Sequence, residues 1–498
     1  MKKILILGMT VFFSAILWAC QETTTTTTTT MTSATTTLID VSNTMVNAYA
    51  TNNDLSFVGL TTISYWDEPV ATNTYVDVDD LTTFQTFYGT GAALTYSAAY
   101  AIDQSPSRDE IIQALFSEQG LNIQLVRLTV GASDFVTPEV GHYTYDDTVG
   151  NVTDSDLSEF SMAQDEIIFQ ILEEALDINP NIVFMAAPWS APAWMKSNKS
   201  LNGGALALSN YPVYADYLVK YLTELENRGI HIKYLSVQNE PYYGPYDYPG
   251  MIWSIDTTKI FVRDHLGPKI AAAGLSTKIM IWDHNTVDNN GNLIDFPTRV
   301  LANEETAAYV GAVGVHCYTG DENDMVDFLD TLREDVPGVE VFMTECTAIT
   351  TYQNIESNML WSNQRMYLEA YNHFASGTTY WNMALDPSGS LHLGGCGNCT
   401  GLLSIPIDGS SGYEIEADGY LTGHFNKDIL SGSKRILVSS TSSAILATGF
   451  VDEFGKITLV LSNEGVAKNT TIRWRGHAFS ITLPKNATIT ITWNIPQE

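Results

Sequence analysis

Between residues 85 and 385 the chain alternates short apolar runs with amphipathic helical stretches, and it does so eight times. The runs are "FYGTGAALT" (87–95), "IQLVRLTVG" (123–131), "NIVFMAAPW" (181–189), "IKYLSVQNE" (232–240), "TKIMIWDHN" (277–285), "VGAVGVHCY" (310–318), "VEVFMTEC" (339–346) and "TTYWNMAL" (378–385). Between them lie helical patterns such as "SRDEIIQALFSEQG" and "YPVYADYLVKYLTELENRG". Near-continuous apolar strands, each followed by a helix, predict a parallel sheet covered on both faces. Eight such units predict a (β/α)8 (TIM) barrel rather than an open, doubly wound sheet. No Gly-x-Gly-x-x-Gly follows the first run, which argues against a dinucleotide-binding domain.

After about residue 430 the texture changes. "KRILVSS", "SAILATGFV", "KITLVLSN", "NTTIRWRG", "HAFSITL" and "ATITITW" are closely spaced runs with period-two alternation, the pattern of a β-sandwich. "LSFVGLTTISYW" and "TYVDVD" near the N-terminus share it and are expected to add strands to that side domain. The predicted organisation is therefore N-terminal sandwich strands over 38–80, a barrel over 81–425 and a C-terminal sandwich over 426–498.

The first 37 residues read as targeting and tether. Lys2 and Lys3 precede an apolar stretch from Ile4 to Leu17, too short to span a bilayer comfortably, and "LWAC" ends at Cys20. This resembles a bacterial lipoprotein signal over 1–20 with Cys20 lipidated, ordinary signal-peptidase cleavage being the alternative. The Thr-rich stretch 21–37 cannot bury a core and reads as a disordered tether. The expected location is the outer face of a bacterial membrane, anchored or secreted.

Acidic residues outnumber basic ones 57 to 24, a formal charge of −33, so nucleic acid is excluded as a partner on long-range repulsion. Beyond Cys20 four cysteines remain. "CGNC" (Cys396 to Cys399) lacks the second ligand pair of a structural zinc site, and in an exported protein a local disulfide is the better reading. Cys317 and Cys346 are read as packing residues at strand ends.

In a (β/α)8 barrel the functional side chains project from the C-terminal ends of the strands. Here those ends carry Asp134, Trp189, Asn239 and Glu240, Trp282, Asp283 and His284, His316 and Tyr318, Glu345, and Trp381 with Asn382. Glu240 and Glu345, from strands four and seven, would face each other across the mouth. Glycosidic hydrolysis needs a proton for the leaving oxygen and negative charge at the anomeric carbon, and a pair of carboxyl groups supplies both. Pro241 fixes the backbone where strand four breaks. Arg127, inside the second run, is expected to be a buried partner that keeps a carboxylate ionised. Glu240 is expected to have a raised pKa, because the negative Glu345 disfavours a second charge nearby. A lone glutamate at a strand end is more commonly a cap or salt-bridge partner; the pair at these two strands, one inside Asn-Glu-Pro, favours catalysis. His284 and His316 are read as hydrogen-bonding support and no metal or other cofactor is expected, although Asp283 with the two histidines leaves a metalloenzyme as an outside alternative.

At these residues the chain resembles glycoside hydrolase family 30, the family of lysosomal glucocerebrosidase and microbial β-1,6-glucanases. The matching segments include "FQTFYGTGAALTYSAA", "AAPWSAPAWMKSN", "SVQNEP", "VGVHCY", "FMTEC", "WNMALDPSG" and "YLTGHFNKDILSGSKRI", with "APWSAPAWMK" the most specific. The resemblance implies a retaining β-glycosidase with Glu240 as acid/base and Glu345 as nucleophile. It implies sugar contacts from Asp134, Trp189, Asn239, Tyr318 and Trp381, to which the strand-end position adds His316. Two departures lie by the first strand: Thr90 replaces an aromatic residue and Tyr96 an acidic one. The "GGCGNCTGLLSI" loop is more like the microbial branch, so the expected substrate is a β-linked glucan, best β-1,6, cleaved by an endo-glucanase or β-glucosidase acting as a monomer. Glucosylceramide is the nearer alternative and β-xylan or β-fucoside the more distant. A non-catalytic carbohydrate-binding surface lipoprotein is the alternative of another class.

Overall fold

The structure, a computed structural model, describes residues 40–496 except 42–43, 60–65, 67–71 and 349–354. The signal, Cys20 and the Thr-rich tether lie outside the described residues. Among those described, no helix is long and apolar enough to cross a membrane.

Eight parallel strands close into a barrel: Gly89–Leu94, Leu125–Val130, Val183–Pro188, Ile232–Ser236, Lys278–Asn285, Val310–His316, Glu340–Cys346 and Ala375–Tyr380, each paired with the next and the last with the first. They are numbered one to eight below. All eight anticipated runs are strands, although strand eight begins three residues before the predicted start at 378. Because side chains alternate along a strand, every second residue points into the barrel. Leu125, Met185, Tyr234, Met280, Ala312 and Phe342 pack there as an apolar layer. Two residues further along several strands the same inward direction places Arg127, Ala187 and Gly314, above a dry floor and below the open mouth.

The remaining sheet has nine strands in the order His477–Leu483, Lys468–Trp474, Tyr75–Thr86, Lys434–Ser440, Ile445–Val451, Lys456–Asn463, Ala487–Asn494, Asn47–Asn52 and Phe57–Gly59. Strands from both ends of this order bury one apolar core that includes Val76, Ile472, Trp474, Ile489 and Trp493, so the sheet folds into a sandwich. N-terminal strands contribute to it, as the alternation suggests. The strand Tyr75–Thr86 runs six residues past the predicted boundary at 80, because its far end still pairs with Lys434–Ser440. The sandwich is tied to the barrel through the helix Ala417–Asn426: its His424 imidazole bonds Thr490 of the sandwich at 2.8 Å, and Asn426 donates to Thr90 O in strand one at 2.8 Å.

Candidate active site

The end of strand four explains why an apolar run stops at a glutamate. The Asn239 N–H donates to Pro188 O of strand three (2.9 Å), and the Glu240 N–H donates to Asp283 O of strand five (3.0 Å). Glu240 itself sits at φ +49°, a left-handed conformation that costs a non-glycine residue about 1–2 kcal/mol. Pro241, which has no N–H to satisfy, follows at once, and its carbonyl accepts from Trp253 N (2.9 Å). The strand is thus clamped between both neighbours at the residue that carries the carboxylate.

Strands five and seven reach the site through irregularities. Pairing between strands five and six slips between Trp282 and His284, and Trp282 and Asp283 both have positive φ. Strict alternation would aim Trp282 inward; instead its indole packs against Phe296 and Tyr242, and Asp283 takes the inward position. Strand seven slips between Met343 and Glu345, which brings Glu345 opposite His316. Gly314 leaves the space this needs, since a Cβ there would lie 3.0 Å from Asp283 Oδ1, Met280 Sδ and Thr344 Cγ2.

These side chains form one connected network. Arg127, 1% exposed, donates through one guanidinium nitrogen to Glu345 Oε2 (2.6 Å) and through the other to Asn239 Oδ1 (2.7 Å) and Asp283 Oδ2 (3.1 Å). Asp283 Oδ1 lies 3.1 Å from His316 Nε2, and His316 Nδ1 lies 3.2 Å from Glu240 Oε1. Tyr318 donates its hydroxyl to Glu345 Oε1 (3.0 Å). Beside Arg127 the indoles of Trp189 and Trp381 stack at 5.2 Å, with the guanidinium 5.0 and 5.7 Å from their centres. Asp134, buried, receives the Cys396 N–H at 3.5 Å. The geometry therefore gathers Arg127, Asp134, Trp189, Asn239, Glu240, His316, Tyr318, Glu345 and Trp381 around one mouth.

The protonation pattern differs from the expected one. Both His316 nitrogens face carboxylate oxygens, so the ring donates twice only as an imidazolium. Burial alone would lower its pKa, but the Glu345 charge and the bonds to Asp283 and Glu240 outweigh burial and push it up to about 9. For Glu240 burial acts upward, yet the neighbouring His284 and His316 outweigh it and hold the carboxyl well below its usual range. The raised Glu240 pKa expected from Glu345 repulsion is thus corrected: two imidazoles, not the second carboxylate, dominate its surroundings. Asp283 is likewise held low by Arg127 and His316 against its burial. Within this site the carboxyl that is raised is Asp134, to about 8, by burial and then by the Glu345 charge.

Other assignments are revised by position. Asn382 does not face the site; its Oδ1 accepts from Thr95 at the start of a helix (2.6 Å). Thr90 is fully buried against Tyr371 (2.7 Å) and the Tyr96 hydroxyl faces Gln164, so neither departure near strand one touches the site. Within "APWSAPAWMK", Lys196 is a strut: its ammonium bonds Ser190 Oγ, Leu201 O and Gly250 O at 2.7–2.8 Å. Cys396 and Cys399 form the local disulfide. Cys317 and Cys346, read as packing residues, are joined as a second disulfide. The signal for it was present in the sequence, since each follows a site residue, His316 and Glu345, at the ends of adjacent strands. His284, read as hydrogen-bonding support, places Nδ1 3.3 Å from Glu240 Oε1 without the alignment of a hydrogen bond. Tyr248, which sequence reasoning missed, packs on the Trp189–Trp381 cluster; the tyrosine-rich "YYGPYDYPG" after Pro241 was its signal.

Comparison with known proteins agrees with this architecture. The family model described as glycosyl hydrolase family 30 TIM-barrel domain matches residues 87–394, and that described as glycosyl hydrolase family 30 beta sandwich domain matches 432–491. An endo-1,6-β-D-glucanase of Neurospora crassa is 29% identical over 435 residues, 83% of this chain and 86% of the relative. A putative glucosylceramidase 2 of Caenorhabditis elegans is 28% identical over 416 residues, 79% and 77% respectively. Among solved structures, the endo-β1,6-glucanase BT3312 superposes with a TM-score of 0.82 at 25% identity, covering 91% of this chain and 99% of that one.

Proposed function

The chain belongs to glycoside hydrolase family 30, and from that premise we propose that this glycoside hydrolase cleaves β-1,6-linked glucan with retention, using Glu345 as nucleophile and Glu240 as acid/base. The observation that carries the reading is the single guanidinium of Arg127, which bonds Glu345 at 2.6 Å and the residue preceding Glu240, Asn239, at 2.7 Å. Two carboxylates from opposite strands are thereby held in one rigid frame, the arrangement that double displacement requires.

In the first step a Glu345 oxygen bonds to the anomeric carbon as the glycosidic C–O bond breaks, and Glu240 supplies a proton to the departing oxygen. That proton is available on His316 Nδ1, 3.2 Å from Glu240 Oε1. In the second step Glu240 takes a proton from water, which attacks the anomeric carbon and frees Glu345. Arg127 occupies Asn239 Oδ1, leaving Nδ2 to donate to a sugar hydroxyl, and Trp189 and Trp381 offer apolar surface to the ring. Asp134, kept neutral by burial, can donate a hydrogen bond as well as accept one.

The linkage rests on the relatives named as endo-1,6-β-glucanases. Export with a lipid anchor at Cys20, the Thr-rich tether and the acidic surface suit a polymer met outside the cell. The test is to incubate the protein with β-1,6-glucan, β-1,3-glucan, β-xylan, glucosylceramide and an aryl β-glucoside, beside Glu345→Gln and Glu240→Gln. Oligosaccharides from β-1,6-glucan alone, released first as the β-anomer and absent with Glu345→Gln, are expected. The α-anomer first would overturn retention, and release from glucosylceramide alone would overturn the glucan.

A further inference from the structure

Two atoms on the proposed proton route, Glu240 Oε1 and His316 Nδ1, also belong to a second pattern, completed by His284. Glu240 Oε1 lies 3.2 Å from His316 Nδ1 and 3.3 Å from His284 Nδ1, and all three atoms fall within 4.8 Å of one another. A tetrahedral ion with ligand bonds of about 2.0–2.2 Å holds its donors about 3.3–3.6 Å apart. The two measured edges therefore match a metal polyhedron with little movement. His284 Nδ1 is a buried polar atom with no hydrogen-bond partner among the described residues, although a carboxylate oxygen stands beside it. His316 turns its other nitrogen to Asp283 Oδ1 at 3.1 Å, and Asp283 is in turn bonded by Arg127. A carboxylate behind a ligating imidazole is the arrangement that orients histidine ligands at zinc.

We propose that Glu240 Oε1, His284 Nδ1 and His316 Nδ1 form a three-ligand site for a borderline divalent cation such as Zn2+, and that its occupancy blocks hydrolysis by taking the oxygen on which the catalytic proton must sit. Two nitrogen donors and one carboxylate select late first-row ions over Mg2+ and Ca2+, which require oxygen. Three protein ligands leave a fourth position toward the mouth, where Glu240 and His284 side chains are each 14% exposed and water can complete the shell. Binding displaces one proton from His316 Nδ1 to solvent. The binding half of the proposal stands on geometry; the inhibitory half rests on Glu240 being the acid/base.

The experiment titrates the full chain, stripped with chelator, with ZnCl2 and separately with MgCl2 by calorimetry, beside His284→Gln. Aryl β-glucoside hydrolysis is followed over the same Zn2+ range. One Zn2+ per chain, no Mg2+ heat, and a binding loss of more than about 10-fold in His284→Gln are expected, since even an outer partner of a metal site contributes that much. Inhibition should share the binding midpoint. Should His284→Gln misfold, Co2+ bound to the wild type must show the intense visible bands of a four-coordinate site. Absent Zn2+ binding, binding unchanged in His284→Gln, or weak six-coordinate Co2+ bands would overturn the site. Binding through His284 with hydrolysis undiminished would overturn the inhibition and, with it, the acid/base role of Glu240.

Discussion

Replacing Arg127 with methionine tests whether one buried cation organises the site. Its guanidinium neutralises two carboxylates whose side chains are 0% (Asp283) and 8% (Glu345) exposed, so water cannot take over when it is removed. Breaking a buried pair by deleting one partner costs about 3–5 kcal/mol, because an uncompensated charge remains. Two stranded carboxylates do not double this cost here. Asp283 keeps His316 at 3.1 Å and Glu345 keeps the Tyr318 hydroxyl at 3.0 Å, so each retains a donor. Arg127→Met should therefore lower the unfolding free energy by about 3–5 kcal/mol at pH 7, a large part of the 5–15 kcal/mol typical of a folded domain. Urea denaturation followed by tryptophan fluorescence measures it directly, as Trp189 and Trp381 lie against the guanidinium.

The decisive comparison is Glu345→Gln in two backgrounds. In the wild type it strands half of the Arg127 charge and should destabilise; beside Arg127→Met it removes a stranded carboxylate and should stabilise. Residues in one ion-pair network couple by about 0.5–3 kcal/mol, whereas independent sites add to within about 0.5. Additive effects of the same sign in both backgrounds would refute the network. Arg127→Lys should fail to restore activity, because a point charge cannot serve Glu345, Asn239 and Asp283 through two parallel nitrogens.

Asp134→Asn probes the neutral carboxyl: the native state holds its proton to about pH 8 while the unfolded chain loses it near 4, so this group makes stability fall as pH rises between those values. Melting temperatures of the variant and wild type should agree below pH 4 and separate in the variant's favour by pH 8; a constant difference would be the contrary result. Gly395→Ala places a Cβ 2.2 Å from Asp134 Oδ2 at φ +62°, and should cost about 1–2 kcal/mol in thermal unfolding together with a rise in KM as the Asp134 carboxyl is displaced. Converting Cys317 and Cys346 together to alanine opens a loop with a separation of 29 residues, and denaturation should show a loss of about 3–4 kcal/mol.

The barrel strands could be read from the sequence because parallel strands buried on both faces are apolar at nearly every position, and the sandwich strands because they alternate. The strand Asn47–Asn52, "NAYATN", was not singled out as a run, since its partner face is supplied by Ala487–Asn494 more than four hundred residues away. Glu240 and Glu345 were visible as ionisable residues ending apolar runs. What they touch was not visible, because the site is assembled where regular pairing fails: the slip at Trp282 inverts the inward residue on strand five, and the slip before Glu345 sets it level with His316. A period-two reading carried through either slip gives the wrong side chain to the mouth. The Glu240 pKa is not legible from the sequence for the same reason: Glu345 can be placed near it by strand count, whereas the two imidazoles that hold it low come in where the pairing is irregular.

The network also accounts for how a buried site changes charge during turnover. His284 apart, the carboxyl groups of Glu240, Asp283 and Glu345 stand against the Arg127 guanidinium and the His316 imidazolium, with Asp134 neutral. With Glu345 as nucleophile, forming the glycosyl ester removes one negative charge from the pocket. With Glu240 as the acid, the proton given to the leaving oxygen comes from the His316–Glu240 pair, which removes one positive charge. Two carboxylates then face one cation, and the excess is a single negative charge before and after. A protonated glutamate acting alone would conserve the total equally, since the charge it gains replaces the one Glu345 loses; what the imidazolium changes is which group carries the proton, so that Glu240 is a carboxylate both before and after the step. With Glu240 as acid/base, the hydrogen bond from His316 keeps the charge on Glu240 itself constant and moves the change to the imidazole behind it.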